Sequence, residues 1–435
     1  MPAQALLVAV ELPSPRPRAE ADRTSDNSGD TEPAIAAAES LAELGRLAFT
    51  AGLEPTRSVL QRRAAPDPAY FVGSGKAAEL RELAAELDCK FLLFDNELSG
   101  VQARNLEEAT GLEVLDRTQL ILRIFANRAQ TREGKLQVEL ALLLYELPRL
   151  TGHGTEMSRL GGGLYTRGPG ETRLEAQRRT IRTRIADLKR EIEELRRHRT
   201  LHRAHRRRIP LPVVSLVGYT NAGKSSLLNA LTGADVLAED KLFATLDPTT
   251  RRLSLPGGIQ ALVTDTVGFL RKLPHPLVAA FRATLEEVVE SDLLIMIIDA
   301  SSELAAEQAA TVRQVLAEAG AAELPSVVAL NKADLLDAVD LARLRHEFPG
   351  SLAVSAVTGQ GLTELREAVA YALRSWQEQV KLLIPYDRGE ILAAAHEHGE
   401  VISEDWREDG VEVEVSLERA MAARLRKQLQ EETVP

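Results

Sequence analysis

Short apolar runs alternate with longer amphipathic stretches along most of the chain. Residues 5–10 read as a buried strand, 36–51 as an amphipathic helix that Gly52 stops, and 57–60 as a second strand. A helix over 77–87, a strand over 91–94, a helix over 100–109, a strand over 112–115 and a helix from 118 to 127 follow. This alternation predicts a small α/β domain with a mostly parallel sheet in residues 1–128. Residues 13–35 break the pattern. They are rich in Pro, Ser, Asp, Glu and Arg and poor in large apolar side chains, which predicts a disordered insertion.

The period then changes. Leu136, Leu140, Leu143 and Leu147 recur in steps of four and three, and Leu174, Ile181, Ile185, Leu188, Ile192 and Leu195 form a second heptad-like stripe. Pro148 is expected to end the first helix, and the Gly-rich stretch 161–170 lies between the two. Matching stripes predict helix-on-helix packing, an antiparallel α-hairpin over 129–208. Strand–helix alternation resumes over 209–378, again predicting a mostly parallel sheet. In 379–435 a strand (381–384), a helix (388–395), two strands (401–402 and 411–417) and a closing helix (418–429) predict a small α+β module that shows no chemistry of its own.

A chain of 435 residues exceeds what one core serves, about 250–300 residues, so several domains are expected. The formal net charge of -11 excludes a uniformly basic nucleic-acid binder. Cys89 is the only cysteine, so an internal disulfide or a Cys-ligated metal cluster is excluded, and a reducing cytosol suits the chain. No basic segment followed by an apolar core opens the sequence, and the longest apolar run, 293–298, is too short to span a bilayer. A cytoplasmic monomer is expected.

The chemistry concentrates in residues 209–378. The strand predicted over 213–217 runs into Gly218-Tyr219-Thr220-Asn221-Ala222-Gly223-Lys224-Ser225, and a helix is predicted from Ser226 to Leu231. The loop fits Gly-x-x-x-x-Gly-Lys-Ser, in which backbone N–H groups and a helix N-terminus meet phosphate. Lys224 would reach the β- and γ-phosphates, and the Ser225 hydroxyl would ligate Mg²⁺. A Gly-rich turn before any helix would satisfy this loop alone, so the later pieces matter. Asp265-Thr266-Val267-Gly268 follows the apolar run 259–263, placing an Asp for Mg²⁺ and a Gly N–H for the γ-phosphate. Asn331-Lys332-Ala333-Asp334 follows the strand 326–330. Asp334 can accept from the N1 and N2 donors of guanine, which adenine lacks, so a site built on that pairing penalises ATP. Lys332 can lay its stem along the base, and a backbone N–H at Ser355-Ala356, just after the short strand 352–354, can bond guanine O6. Each piece sits at the end of a predicted strand, where the crevice of such sheets binds ligands.

Between these pieces, Phe243-Ala244-Thr245-Leu246-Asp247-Pro248-Thr249-Thr250 must offer one Thr to Mg²⁺ and the γ-phosphate. Thr245 is favoured, with Thr249 and Thr250 as alternates. Lys224, Thr245 and Gly268 are the candidate catalytic residues. Phe269 stands where many GTPases carry a water-orienting Gln, so intrinsic hydrolysis is expected to be slow and another group or a partner must help. The Asn221 side chain could support a monovalent cation such as K⁺ beside the phosphates, or simply bond within its loop. Arg271 and Lys272 could meet nucleotide or partner.

Residues 70–76 end in Gly73-Ser74-Gly75-Lys76 but lack the first Gly of a phosphate loop, and they read as a turn opening the next helix. After the strand 91–94, Asp95-Asn96-Glu97 could be a polar site, though a helix cap at Asn96 or Ser99 fits better. The second hairpin helix carries a dense basic strip that includes Arg178, Arg182 and Arg196, while Tyr165, Arg159 and Arg167 lie in the Gly-rich tip. In an acidic chain that local excess points to RNA phosphate, and the tip residues can stack on unpaired bases.

Taken together, Gly218–Ser225 with Asn221, the stretch 243–249, Asp265-Thr-Val-Gly-Phe269, Asn331-Lys-Ala-Asp334, Asp95-Asn-Glu-Leu-Ser99 and Gly168-Pro-Gly-Glu171 resemble the HflX family of bacterial GTPases, relatives of Obg and Era. The resemblance covers nearly the whole chain apart from the insertion. It implies GTP-regulated binding to the large ribosomal subunit and rescue of stalled or stress-damaged ribosomes by splitting. The N-terminal domain and hairpin would then reach toward the peptidyl-transferase region. Members are also described as binding ATP through the N-terminal domain, for which residues 1–128 show no convincing motif. The rival readings are a GTP-dependent stress regulator and a ribosome-assembly factor, neither of which splits ribosomes.

Overall fold

The runs predicted as strands form three separate sheets in a computed structural model that describes residues 2–13, 31–150, 169–206, 211–233, 242–243, 245–271 and 285–430. The first contains β1 (Ala3–Glu11), β2 (Leu53–Arg62), β3 (Phe91–Phe94) and β4 (Glu113–Asp116) in the order β2-β1-β3-β4, all parallel. Parallel strands need crossovers, supplied here by α1 (Thr31–Thr50), α2 (Ser74–Glu86) and α3 (Gly100–Thr110), followed by α4 (Arg117–Arg128). Helices on both faces explain why β1 and β3 read as continuous apolar runs rather than alternating ones. Leu6, Val8, Leu80, Leu92, Phe94 and Leu106 meet in one core. The helix α1 begins at Thr31, earlier than the sequence pattern marks, and residues 14–30 of the expected insertion lie outside the described residues.

Ser99 caps α3 and Asp116 caps α4, each in a reciprocal capping box with the Gln three residues on. Asn96 instead bonds the backbone N–H and C=O of Val10. Gly73 opens α2 at φ 90, so residues 70–76 are the turn they read as. At the C-terminal ends of β3 and β4 a buried ionic network forms. Arg117 bonds Asp95 at 2.7 Å and Glu43 at 2.8 Å, and all three side chains are buried. Asp116 accepts from Tyr145 at 2.8 Å and from Arg149 at 2.8 Å. Burial and the neighbouring Asp116 carboxylate push the Tyr145 phenol far up, so it stays a donor at any physiological pH.

Tyr145 and Arg149 lie on α5 (Arg132–Arg149), the first hairpin helix, so the network fastens it to the sheet. The sequence places the end of this helix at Pro148, but it continues through Pro148 to Arg149. The Arg149 guanidinium bonds Asp116 and the Leu98 carbonyl, and that anchoring holds the last turn against the proline penalty. Its partner α6 (Pro169–Arg206) packs Ile185 and Leu188 against Leu136 and Leu140, with Leu143, Leu147, Ile181, Ile192 and Leu195 flanking. Burying a leucine contributes about 1.5–3 kcal/mol. The cross-hairpin ion pair Arg184–Glu139 is half exposed and screened by solvent, so the apolar seam dominates.

The second sheet has the order β10-β9-β8-β5-β7-β6. Its strands are β5 (Val213–Gly218), β6 (Thr249–Ser254), β7 (Gln260–Asp265), β8 (Leu293–Asp299), β9 (Ser326–Asn331) and β10 (Leu352–Ala353). All pairs are parallel except β6–β7 at the edge, a strand that the sequence pattern does not mark. Helices α7 (Lys224–Thr232), α8 (Ala305–Ala319), α9 (Ala338–Glu347) and α10 (Leu362–Ala372) complete this α/β layer structure. The third sheet, order β11-β13-β12, is antiparallel: β11 (Gln377–Ile384), β12 (Gly399–Arg407) and β13 (Gly410–Glu418), with α11 (Gly389–His398) and α12 (Arg419–Gln430). The strand β12 is longer than residues 401–402, because a register shift between Val401 and Ser403 interrupts the alternation by which a strand is read.

Candidate nucleotide site

The order β10-β9-β8-β5-β7 brings the phosphate loop, Asp265-Thr266-Val267-Gly268, Asn331-Lys332-Ala333-Asp334 and Ser355-Ala356 to the C-terminal ends of neighbouring strands. A Cβ on Gly218 would lie 2.4 Å from the Ile297 carbonyl oxygen, so only glycine lets β5 leave the sheet beside β8. The loop then turns through two left-handed residues, Asn221 at φ 63 and Gly223 at φ 90. Ala222 is fully buried, and Ser226 lies half-exposed in the first turn of α7.

Lys224 opens α7 and folds back over the loop. Its Nζ donates to the Tyr219 carbonyl at 2.9 Å and the Gly218 carbonyl at 3.3 Å. Burial pulls its pKa down to about 8, and the nearby Asp265 carboxylate opposes that shift. Ser225 and Thr245 both donate to Asp265 Oδ2, at 2.6 and 2.8 Å, and their hydroxyls are 2.8 Å apart. The other carboxylate oxygen, Oδ1, is buried with no hydrogen-bond partner. Thr245 is therefore the threonine that the structure brings to this cluster. The alternates lie in β6, where Thr249 pairs with Asp265 in the ladder and Thr250 bonds Thr264. Phe243, at φ 56, is buried.

The segment after Asp265 is laced to the loop. Phe269 N–H donates to the Gly218 carbonyl at 3.1 Å, and Thr220 N–H donates to the Phe269 carbonyl at 2.8 Å. The Tyr219 hydroxyl accepts from the Arg271 N–H at 2.8 Å, and Arg271 pairs with Glu307. Gly268 sits so close that a Cβ there would be 2.8 Å from Thr220 Cα and 2.9 Å from Lys224 Nζ. The Phe269 ring is buried and carries no group that orients water. Lys272 lies outside the described residues.

At the base end, Asn331 is buried and links two motifs. Its Nδ2 donates to the Ala222 carbonyl at 2.8 Å, and its Oδ1 accepts from Ala356 N–H at 3.1 Å. Lys332, left-handed at φ 62, pairs with Asp299 at 2.6 Å. Asp299 was missed from the sequence, although an acid closing the apolar run 293–298 at a strand end is a usable signal. Asp334 is exposed, and the buried Ser355 hydroxyl accepts from Thr358 N–H.

On α6, Arg178 is half-buried and Arg182 is exposed, while neighbouring basic residues are partly neutralised by pairs such as Arg190–Asp187. Arg196 lies on α6, but its side chain is outside the described residues, as are Tyr165, Arg167 and Arg159 altogether. Among the described residues no helix is long and apolar enough to cross a membrane.

Four family models match in succession: a GTP-binding GTPase N-terminal region at residues 38–126, its middle region at 128–206, a 50S ribosome-binding GTPase at 213–332 and an HflX C-terminal domain at 341–435. The chain is 48% identical over 388 residues to the GTPase HflX of Caldanaerobacter subterraneus subsp. tengcongensis, covering 89% of this chain and 90% of the relative. It is 42% identical over 381 residues to the GTPase HflX of Escherichia coli, covering 87% and 89%. A GTP-binding protein from Sulfolobus solfataricus, solved with GDP, is 24% identical, with 86% and 99% covered and a TM-score of 0.44.

Proposed function

The chain belongs to the HflX family of GTPases, and from that premise we propose that it is a GTP-driven switch that binds the large ribosomal subunit and splits stalled or stress-damaged ribosomes. The reaction is hydrolysis of GTP to GDP and phosphate. The observation that carries the switch is the convergence of Thr245 on Ser225 and Asp265. Thr245 stands outside the phosphate loop, so whatever those oxygens hold jointly fixes its segment, and loss of the γ-phosphate releases it. Three hard oxygen donors, with Asp265 Oδ1 still unpaired, suit Mg²⁺. When bound, that ion would neutralise phosphate charge.

Lys224 would bind the β- and γ-phosphates, gaining full charge as they displace its carbonyl partners. The backbone of residues 218–226 would wrap them. Asn221 would hold K⁺ beside them. Asp334 would select guanine, with Lys332 along the base and Ala356 N–H exchanging its Asn331 Oδ1 partner for O6. The match to a 50S ribosome-binding GTPase over 213–332 supports the large subunit as partner. The basic strip with Arg178, Arg182 and Arg196, and the tip with Tyr165 and Arg167, would face ribosomal RNA.

GTP turnover by the purified protein, with and without large ribosomal subunits and in potassium or sodium buffer, tests this reading. Subunits are expected to raise turnover by roughly tenfold or more, because the site lacks the water-orienting Gln. Potassium is expected to support faster turnover than sodium. A rate indifferent to subunits would move the function to a regulator with another partner.

A further inference from the structure

Among the described residues, two buried oxygen atoms in the candidate nucleotide site have no hydrogen-bond partner: Asp265 Oδ1 and Thr220 Oγ1. The first is accounted for by the metal reading. The second is not. Thr220 is 5% exposed, and its hydroxyl has no access to bulk water. Leaving such a group unpaired is costly, and a ligand oxygen in the same site would recover that cost.

The position of Thr220 is fixed by backbone. Its N–H donates to Phe269 O at 2.8 Å, and the Phe269 N–H donates to Gly218 O at 3.1 Å, so the phosphate loop and the segment after Asp265 are zipped together at Thr220. A Cβ built on Gly268 would be 2.7 Å from Thr220 Cγ2, 2.8 Å from its Cα and 2.9 Å from Lys224 Nζ. Gly268, expected to meet the γ-phosphate through its N–H, therefore packs against both Thr220 and Lys224, the lysine expected to meet the same group through its charge. The residue after Gly268 is Phe269, buried and without a hydrogen-bonding side chain.

Resting on the GTPase reading, we propose that the Thr220 hydroxyl is a catalytic group. It would hydrogen-bond the γ-phosphoryl group and its attacking water, the task that a Gln performs where Phe269 stands. A hydroxyl can accept from water and donate to a phosphoryl oxygen at once. In the step it serves, the water oxygen forms a bond to the γ-phosphorus while the bond from that phosphorus to the β,γ-bridging oxygen breaks. GDP leaves with the electron pair, and the water's proton ends on inorganic phosphate. Thr220 gains and loses no proton overall.

The test is single-turnover GTP hydrolysis, with protein in excess, by wild type, Thr220→Val and Thr220→Ser, alongside GDP and non-hydrolysable GTP-analogue titrations. Valine keeps the shape and removes only the hydroxyl. Thr220→Val is expected to hydrolyse roughly tenfold or more slowly with GDP affinity unchanged, and Thr220→Ser to stay within about threefold of wild type. Hydrolysis by Thr220→Val within threefold of wild type would overturn the proposal, as would a loss of GDP affinity matching the loss of rate. Wild type that hydrolyses no GTP at all would instead sink the GTPase reading on which it rests.

Discussion

Gly223→Ala is expected to abolish nucleotide binding, weakening GDP affinity by at least about a hundredfold while leaving the protein folded. Gly223 has φ 90 and ψ 28, a conformation that costs a side-chain-bearing residue about 1–2 kcal/mol. That strain alone would be tolerable. The larger effect is steric, because the added Cβ would lie 2.2 Å from Asn331 Nδ2. This amide must then move, and it is the group that bonds the Ala222 carbonyl while its oxygen receives Ala356 N–H. One methyl therefore disconnects the phosphate loop from both segments proposed to meet the base. Gly233→Ala is the control. Gly233 closes the same helix in the same left-handed region, at φ 66, with nothing within 4 Å of an added Cβ. It should lose about 1 kcal/mol of stability and keep its GDP affinity. Titration with fluorescent GDP checks both variants, and wild-type affinity in Gly223→Ala would contradict the role given to Asn331.

GDP affinity is expected to fall as pH rises above 8. Burial lowers the Lys224 pKa to about 8 in the protein without nucleotide, and a phosphate beside it favours the charged form and raises that value. The bound state therefore holds more protons than the free state above pH 8. By linkage, affinity is fully present below the free-state value and is lost as pH rises through it, approaching tenfold per unit until the bound-state value is reached. Between pH 7.5 and 9 the loss should be roughly tenfold, about 1.4 kcal/mol. Isothermal calorimetry across that range measures it, and a flat profile would mean that Lys224 is charged before nucleotide arrives.

Much of the candidate site was legible in the chain because its pieces are local. A phosphate loop, an Asp at a strand end and Asn-Lys-Ala-Asp are short words, and each lies where a strand stops. The hairpin was legible for a similar reason, since a seven-residue stripe on each helix is enough to predict their packing. What escaped reading depends on groups distant in sequence. Nothing near Asp95 announces that Arg117 and Glu43 will close around it, because those partners arrive from different helices. Likewise, Asn331 reads as a base-binding residue, and its bond to Ala222 appears only once β5 and β9 flank β8. The choice of Thr245 over Thr249 and Thr250 needed β6 to form, since pairing in that strand commits the two alternates to the sheet. The end of α5 shows the reverse limit. Proline is a reliable local signal, and here tertiary bonds from Arg149 override it by one residue.

Ribosome splitting is the central claim. Intact ribosomes are incubated with the protein and either GTP, a non-hydrolysable GTP analogue or GDP, then sedimented through a sucrose gradient. With GTP or its analogue the intact-ribosome peak should shrink in favour of separate subunits, with the protein on the large one, and with GDP it should stay unchanged. Protein that rides with large subunits in the GTP form while the intact-ribosome peak keeps its size would contradict the account.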